Sequence, residues 1–326
     1  MRIWCAIVIN SEADSMSQTR RILITGATGF VGTHLIGVLR REFPKADLLT
    51  DRFDITDAAA VHRAVRAASP DACIHLAGIT ALPAARRDPD QAWRVNLHGT
   101  LHLSDAVLAE APNCRLLFVS SSEAYGRSFQ SGTAIDEARP LAPMNTYAAT
   151  KAASDLAIGA RVADGLRAIR VRPFNHTGPG QTAQFVIPSF ARQLARIAAG
   201  LQPPRMETGA LDLQRDFLDV RDVCAAYAAC LKLPDPLVAA GQILNLASGS
   251  PRRIGDILEQ MRAIAGMEVE ITTNTALLRP SEIPIAFGDS SRARRLLDWA
   301  PCIRWEQTLA DVMEDWRQRI KSDEEA

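Results

Sequence analysis

Arg21-Ile22-Leu23-Ile24-Thr25-Gly26-Ala27-Thr28-Gly29-Phe30-Val31-Gly32 decides how this chain folds. Its first five residues are nearly unbroken in apolar character, which reads as a strand buried on both faces. Three glycines follow at spacings of three, and then an apolar-periodic segment over 29–42 reads as a helix. The same rhythm runs on, with strands at 46–50, 72–76, 115–120 and 167–172 and helices at 61–68, 90–110 and 147–164. Such alternation predicts an α/β fold built on a doubly wound parallel (Rossmann) sheet with helices on both faces.

The glycines have separable tasks. Gly26 permits the tight turn, Gly29 lets the backbone approach a pyrophosphate at the helix amino terminus, and Gly32 lets helix and sheet pack closely. Between a strand and a helix, this pattern predicts a dinucleotide site, with Thr28, Phe30 and Val31 of the same turn among its contacts. At the end of the second strand, Asp51 can bond the adenosine ribose and favour NAD, whereas Arg52 can accept a phosphate and favour NADP. The expectation is NADP or NAD, leaning to NADP.

Past Pro173 the composition shifts, and prolines and glycines are dense over 173–204. Segments 185–199 and 277–285 are expected to build a smaller α/β substrate lobe over the carboxyl edge of the sheet. Helices are expected at 222–231 and 305–320, and a further sheet strand at 242–245. The expected division is an extension at 1–18 outside the fold, a dinucleotide-binding domain at 19–174, and a substrate lobe at 175–320. Within that lobe 212–250 returns to the sheet, and 321–326 forms a frayed tail.

Lysine plus arginine and aspartate plus glutamate number 37 each, so the net charge is zero and offers no electrostatic case for nucleic acid or an anionic membrane. The 6 cysteines show neither a Cys-x-x-Cys pair nor metal-ligand spacing, which fits a reducing, cytoplasmic setting without a metal. No apolar run reaches the roughly 18 residues of a membrane span.

Tyr147-Ala148-Ala149-Thr150-Lys151 places a phenol and an ammonium one helical turn apart. The positive charge is expected to favour phenolate. A fall of roughly three units, about 4 kcal/mol, would bring the tyrosine near neutrality, where it could exchange a proton with a substrate oxygen.

The glycine spacing together with Tyr147 and Lys151 resembles the short-chain dehydrogenase/reductase superfamily, in its extended, sugar-nucleotide-modifying branch, over residues 21–319. The resemblance implies further roles. In Ser120-Ser121-Ser122-Glu123-Ala124-Tyr125-Gly126, Ser121 would be the catalytic hydroxyl, with Ser122 and Glu123 near the substrate. Leu76, Ala77 and Gly78 would line the cofactor, as would Pro173, while Asp54 and Ile55 would meet the adenine and Asn96 would be the helix asparagine of the family. Physically, Ser121 at a strand end can donate to a carbonyl, or can merely bond its own turn. Asn96 could equally bridge backbone, and His75 and His98 read as structural.

Three stretches in the second half are similar to the GDP-4-keto-6-deoxymannose reductases: Arg172-Pro173-Phe174-Asn175-His176-Thr177-Gly178-Pro179-Gly180-Gln181, Arg215-Asp216-Phe217-Leu218-Asp219-Val220-Arg221-Asp222 and Leu278-Arg279-Pro280-Ser281-Glu282. The similarity implies that Arg279 clamps a pyrophosphate, since guanidinium matches phosphate bidentately. Arg215 would add a second cation and Glu282 would accept from the ribose. Asn175 would bond near the sugar, and Val186 would line the substrate site.

The expected reaction is hydride reduction of the 4-keto group of a GDP-6-deoxyhexulose, with Tyr147 as acid, Lys151 as its partner and Ser121 polarising the carbonyl. A GDP-mannose 4,6-dehydratase is the alternative, kept open by Glu123, and a non-catalytic dinucleotide sensor is a lesser one. The resemblance also implies a homodimer through the helices at 96–110 and 147–164, where Ala106, Ala149, Ala153 and Ala157 permit close packing.

Overall fold

A computed structural model describes residues 21–278 and 283–324. The extension expected at 1–18 lies outside them. Along the chain the strands are β1 (Arg21–Thr25), β2 (Asp47–Leu49), β3 (Ala72–His75), β4 (Arg115–Val119), β5 (Ala168–Pro173), β6 (Asn175–Thr177), β7 (Arg205–Thr208), β8 (Gln214–Asp219), β9 (Ile243–Leu246), β10 (Pro251–Arg253), β11 (Glu270–Thr273) and β12 (Ile285–Ala286). Six of them form a wholly parallel sheet in the order β2-β1-β3-β4-β5-β9.

Side chains leave the strands to alternate faces, and this splits the core in two. Ile22, Ile24, Ile74 and Leu117 pack with helices Phe30–Glu42 and Val220–Cys230. Leu23, Cys73, Leu116 and Phe118 face the other way, toward helices Ala58–Ala68, Gly99–Glu110 and Thr146–Ala163. Both faces are dry, which explains why β1, β3 and β4 lack an apolar–polar alternation, whereas β5 alternates Ile169 and Val171 with Arg170 and Arg172. The chain crosses from β2 to β3 over β1, so a crevice opens above the carboxyl ends of β1 and β3.

The second lobe has its own core. Phe190, Leu194, Ile257, Met261, Leu309 and Trp316 join helices Val186–Ala198, Ile254–Ala265 and Trp305–Glu324, beside the parallel pair β7–β11. A four-stranded sheet, β10-β8-β12 with β6 also on β8, links this lobe to the rest. Within 212–250, helix Val220–Cys230 packs on the large sheet and β9 joins it, whereas β8 belongs to the small sheet. The tail expected to fray from 321 instead continues the last helix to Glu324.

The helix expected at 90–110 forms with a π-turn inside it, Arg94–His98. The Asn96 carbonyl accepts the Thr100 hydroxyl at 2.6 Å and the Ser154 hydroxyl at 2.8 Å. Hydroxyls inserted into the backbone ladder account for the widened turn.

Candidate active site

Helix Thr146–Ala163 starts on Asn145, whose side chain accepts the Ala148 N–H at 2.8 Å. That cap fixes the first turn, and with it Tyr147. Asn145 also donates to Glu123 at 3.4 Å, tying the helix start to the turn that follows β4. Ser121 begins that turn in extended conformation, and its Oγ accepts the Glu123 N–H at 3.2 Å. The Ser121 hydroxyl also neighbours the Tyr147 phenol and favours its ionised form. Ser121, Tyr147 and Lys151 are 8%, 9% and 8% exposed, so the cluster is nearly dry and its charges are little screened.

Dryness overturns one sequence-based expectation. The Tyr147 phenol is not depressed. Burial pushes it up to about 12, eased by the neighbouring Ser121 hydroxyl and reinforced by the Glu123 charge. Lys151 is pushed down to about 8 by the same burial, opposed by Asp155. Its Nζ donates to the Val119 carbonyl and lies 4.6 Å from the centre of the Phe118 ring. Desolvation therefore outweighs the one-turn spacing of phenol and ammonium. At neutral pH Tyr147 is a protonated acid.

The glycine turn fits a dinucleotide. Gly26 has φ +74°, and a Cβ there would come within 2.7 Å of the Ala77 nitrogen. A Cβ on Gly32 would lie 2.5 Å from the carbonyl oxygens of Gly26 and Ala27. No side chain caps helix Phe30–Glu42 at Gly29, so its first N–H groups stay available to an anion. Beside the turn is a cleft of about 220 Å³ lined by Gly26, Thr28, Asp51, Arg52, Ile55 and Ala77, among others. Arg52 reaches across it and donates to the Thr28 hydroxyl at 3.1 Å. Phe30 and Val31 open the helix, Leu76 and Gly78 flank Ala77 after β3, and Pro173 ends β5.

Two of the expected cofactor contacts have partners within the chain. Asp54 Oδ1 accepts the Thr56 N–H at 2.8 Å and hydroxyl at 2.7 Å, which makes it a turn-former ahead of the next helix. The buried Asn96 side chain accepts from the Ile79 N–H at 2.8 Å and donates to the Ile79 carbonyl at 3.0 Å and Thr150 at 2.9 Å. It braces the segment after β3 against the Tyr147 helix, the bridging alternative of the sequence reading.

On the substrate side, β6 pairs with β8 at Asn175↔Phe217, which puts Asn175 and Arg215 on one small sheet. Asn175 donates to the Asp216 carbonyl at 3.3 Å. Arg215 donates to the carbonyls of Gln214 and Ile283, each at 2.8 Å. Ile283 directly follows the segment 279–282, which holds Arg279 and Glu282 and lies outside the described residues. Ser122 is buried, Glu123 half-buried, and Val186 opens its helix 36% exposed. The aromatic contacts Tyr125–Phe129 (6.0 Å) and Phe129–Phe174 (5.9 Å) join the Ser121 turn to the start of β6.

Sequence reasoning missed Asp155, Arg172, Tyr125 and Asn245, a buried polar network behind Lys151. Asp155 continues the four-residue spacing of Tyr147 and Lys151, and that was the available signal.

A family model described as GDP-mannose 4,6 dehydratase matches residues 40–312. The GDP-6-deoxy-D-mannose reductase of Pseudomonas aeruginosa is 37% identical over 308 residues, 94% of this chain and 100% of that protein. The GDP-6-deoxy-D-talose 4-dehydrogenase of Aggregatibacter actinomycetemcomitans is 28% identical over 85% of this chain and 91% of its own. The solved structure of RMD from Pseudomonas aeruginosa complexed with NADPH superposes with a TM-score of 0.83 at 37% identity, covering 92% of this chain and 99% of that one.

Proposed function

The chain belongs to the family described as GDP-mannose 4,6 dehydratase, an extended branch of the short-chain dehydrogenase/reductases, and from that premise we propose that it is a reductase. It reduces the 4-keto group of GDP-4-keto-6-deoxy-D-mannose and gives GDP-D-rhamnose. A reduced nicotinamide dinucleotide bound on the glycine turn supplies the hydride. Ser121 donates a hydrogen bond to the keto oxygen. Tyr147 hands that oxygen its phenolic proton as charge develops there, and the Lys151 ammonium offsets the phenolate left behind.

The observation that carries this reading is the gathering of Ser121, Tyr147 and Lys151 into one buried cluster, with Lys151 one helical turn from Tyr147. Reduction needs the acid form of Tyr147. The 37% identity to a reductase over nearly the full chain points the same way. Supplying the keto sugar with NADPH, and separately GDP-mannose with oxidised cofactor, tests the choice. Oxidation of NADPH is expected in the first mixture. Keto sugar formed in the second would establish the dehydratase instead.

NADPH is the favoured cofactor, because Arg52 crosses the cleft beside Thr28 where a ribose phosphate would lie. Arg52→Ala is expected to raise KM for NADPH about ten- to a hundredfold, the worth of one or two hydrogen bonds to a charged group, and to leave KM for NADH unchanged. Steady-state rates on both cofactors check this.

On the substrate side we assign Arg215, Asn175, Val186, Ser122 and Glu123 to the GDP-sugar, and, from the sequence similarity alone, Arg279 and Glu282 to its nucleotide. A homodimer is supported by the outer face of the Tyr147 helix, where Leu156 is 61% exposed beside half-buried Ala149, Ala153 and Ala157. Half-buried Leu97 and Leu101 on the neighbouring helix extend that apolar face. Ala106, counted with them from sequence, packs in the core. No helix among the described residues is long and apolar enough to cross a membrane, and the described cysteines are free, which supports a cytoplasmic setting.

A further inference from the structure

Tyr147, Lys151 and Asp155 stand four residues apart on helix Thr146–Ala163, so their side chains form a column along one face. Asp155 is fully buried, and Arg172 holds its carboxylate with two bonds, Nε to Oδ2 at 2.8 Å and Nη2 to Oδ1 at 2.9 Å. Arg170 adds a bond at 3.2 Å, and the Ser120 hydroxyl also favours the charged form. Arg172 is itself pinned: Nη1 donates to the Tyr125 hydroxyl at 2.9 Å, which donates to Asn245 at 2.8 Å. Its guanidinium also lies 5.1 Å from the centre of the Tyr125 ring.

A buried ion pair is a poor way to gain stability, since apolar residues of equal volume do as well or better. One placed next to the lysine of an active site therefore invites an electrostatic explanation. We propose that Asp155, locked in place by Arg172, is a positioning residue whose fixed negative charge keeps the Lys151 amine protonated inside the dry site. The proposal rests on the reductase reading for its catalytic consequence only.

The surroundings of Lys151 support this. From β4 it meets the Val119 carbonyl and the Phe118 ring. From β3 it faces His75, which is neutral, because burial and the Lys151 charge push the imidazole down to about 3. Glu123, on the turn after β4, acts on Tyr147 rather than on Lys151. Arg170 and Arg172, from β5, face Asp155. Among the described residues Asp155 is thus the anion that opposes the loss of the ammonium. Burial alone would raise the Asp155 carboxyl, but Arg172, Ser120 and Arg170 together hold it below its ordinary range, so it stays charged.

The chain has only four lysines, Lys45, Lys151, Lys232 and Lys321, so NMR of lysine-labelled protein can follow each amine through a pH titration. In Asp155→Asn the Lys151 midpoint is expected to fall by about one pH unit or more, the usual effect of removing a close opposite charge, while the other three stay in place. The alkaline limb of kcat/KM is expected to move with it. Asp155→Glu, which keeps the charge, should hold the midpoint. A merely structural Asp155 would lower kcat at every pH and leave the Lys151 midpoint alone. If Asp155→Asn does not fold, Asp155→Asn/Arg172→Gln replaces the ion pair by two amides and is read the same way. An unchanged Lys151 midpoint in the folded variant overturns the proposal. The titration uses the protein alone, so a failure of the reductase assignment would show only in the enzyme assay.

Discussion

Tyr147→Phe is expected to lower turnover by about 10²- to 10⁴-fold, the usual contribution of a positioned general acid. The substitution removes one oxygen and keeps the ring. Tyr147 packs with Ala85 and Ala92, and with half-buried Ile79 and Leu82, so the helix start and its Asn145 cap are expected to remain. NADPH binding should therefore keep its wild-type Kd, and the whole loss should fall on kcat. What disappears is the proton that must meet the new alkoxide, together with the neighbour of the Ser121 hydroxyl. Water cannot easily substitute, because Ser121, Tyr147 and Lys151 are all buried. Single-turnover rates with bound NADPH measure the step directly. A Tyr147→Phe variant that reduces substrate at the full rate would remove Tyr147 from the chemistry.

The second large effect concerns stability. Arg172→Met removes both of the bonds that Arg172 makes to Asp155 and leaves a fully buried carboxylate. Breaking one side of a buried pair costs about 3–5 kcal/mol. Arg170 still touches Asp155, so the lower end, about 3 kcal/mol, is expected. The pH dependence has a definite sign. In the native protein the folded Asp155 lies below its ordinary value, and its stabilisation is present above the ordinary carboxylate range. It is lost as pH falls through the folded value. In the variant, burial without Arg172 raises that carboxyl, and its protonation relieves the penalty. Urea unfolding should therefore show the gap between the two proteins widest near neutral pH and narrowing in acid. A gap independent of pH would mean that Arg172 contributes by packing on Tyr125 rather than by charge.

The parts of the fold legible in the sequence are those with a local cause. β1, β3 and β4 are largely apolar runs because both faces of the sheet are covered, and the glycine turn is set by close approaches at Gly26 and Gly32. β6, β10 and β12 are two or three residues long and exist through their pairing with β8, a tertiary fact with no local signature. The same division runs through the site. Tyr147 and Lys151 announce themselves by spacing, and the structure brings Ser121 to the phenol. The direction of the Tyr147 shift could not be read from spacing, because it depends on how much water the fold removes. Asp155 shares a spacing that any amphipathic helix has, and Arg172 reaches it from β5 through the fold. Asn96 carries a motif position, yet its side chain is spent on Ile79 and Thr150, while Asp54 engages Thr56 through Oδ1 alone.

The central claim is that the buried cluster above β4 directs hydride from a nicotinamide onto the C4 carbon of a GDP-linked keto sugar. NADPH deuterated at the transferring position of the nicotinamide ring, mixed with enzyme and GDP-4-keto-6-deoxy-D-mannose, tests it in one step. The expected product is GDP-D-rhamnose with deuterium at C4 and at no other carbon. Label kept on the cofactor, or a product without deuterium at C4, would contradict it.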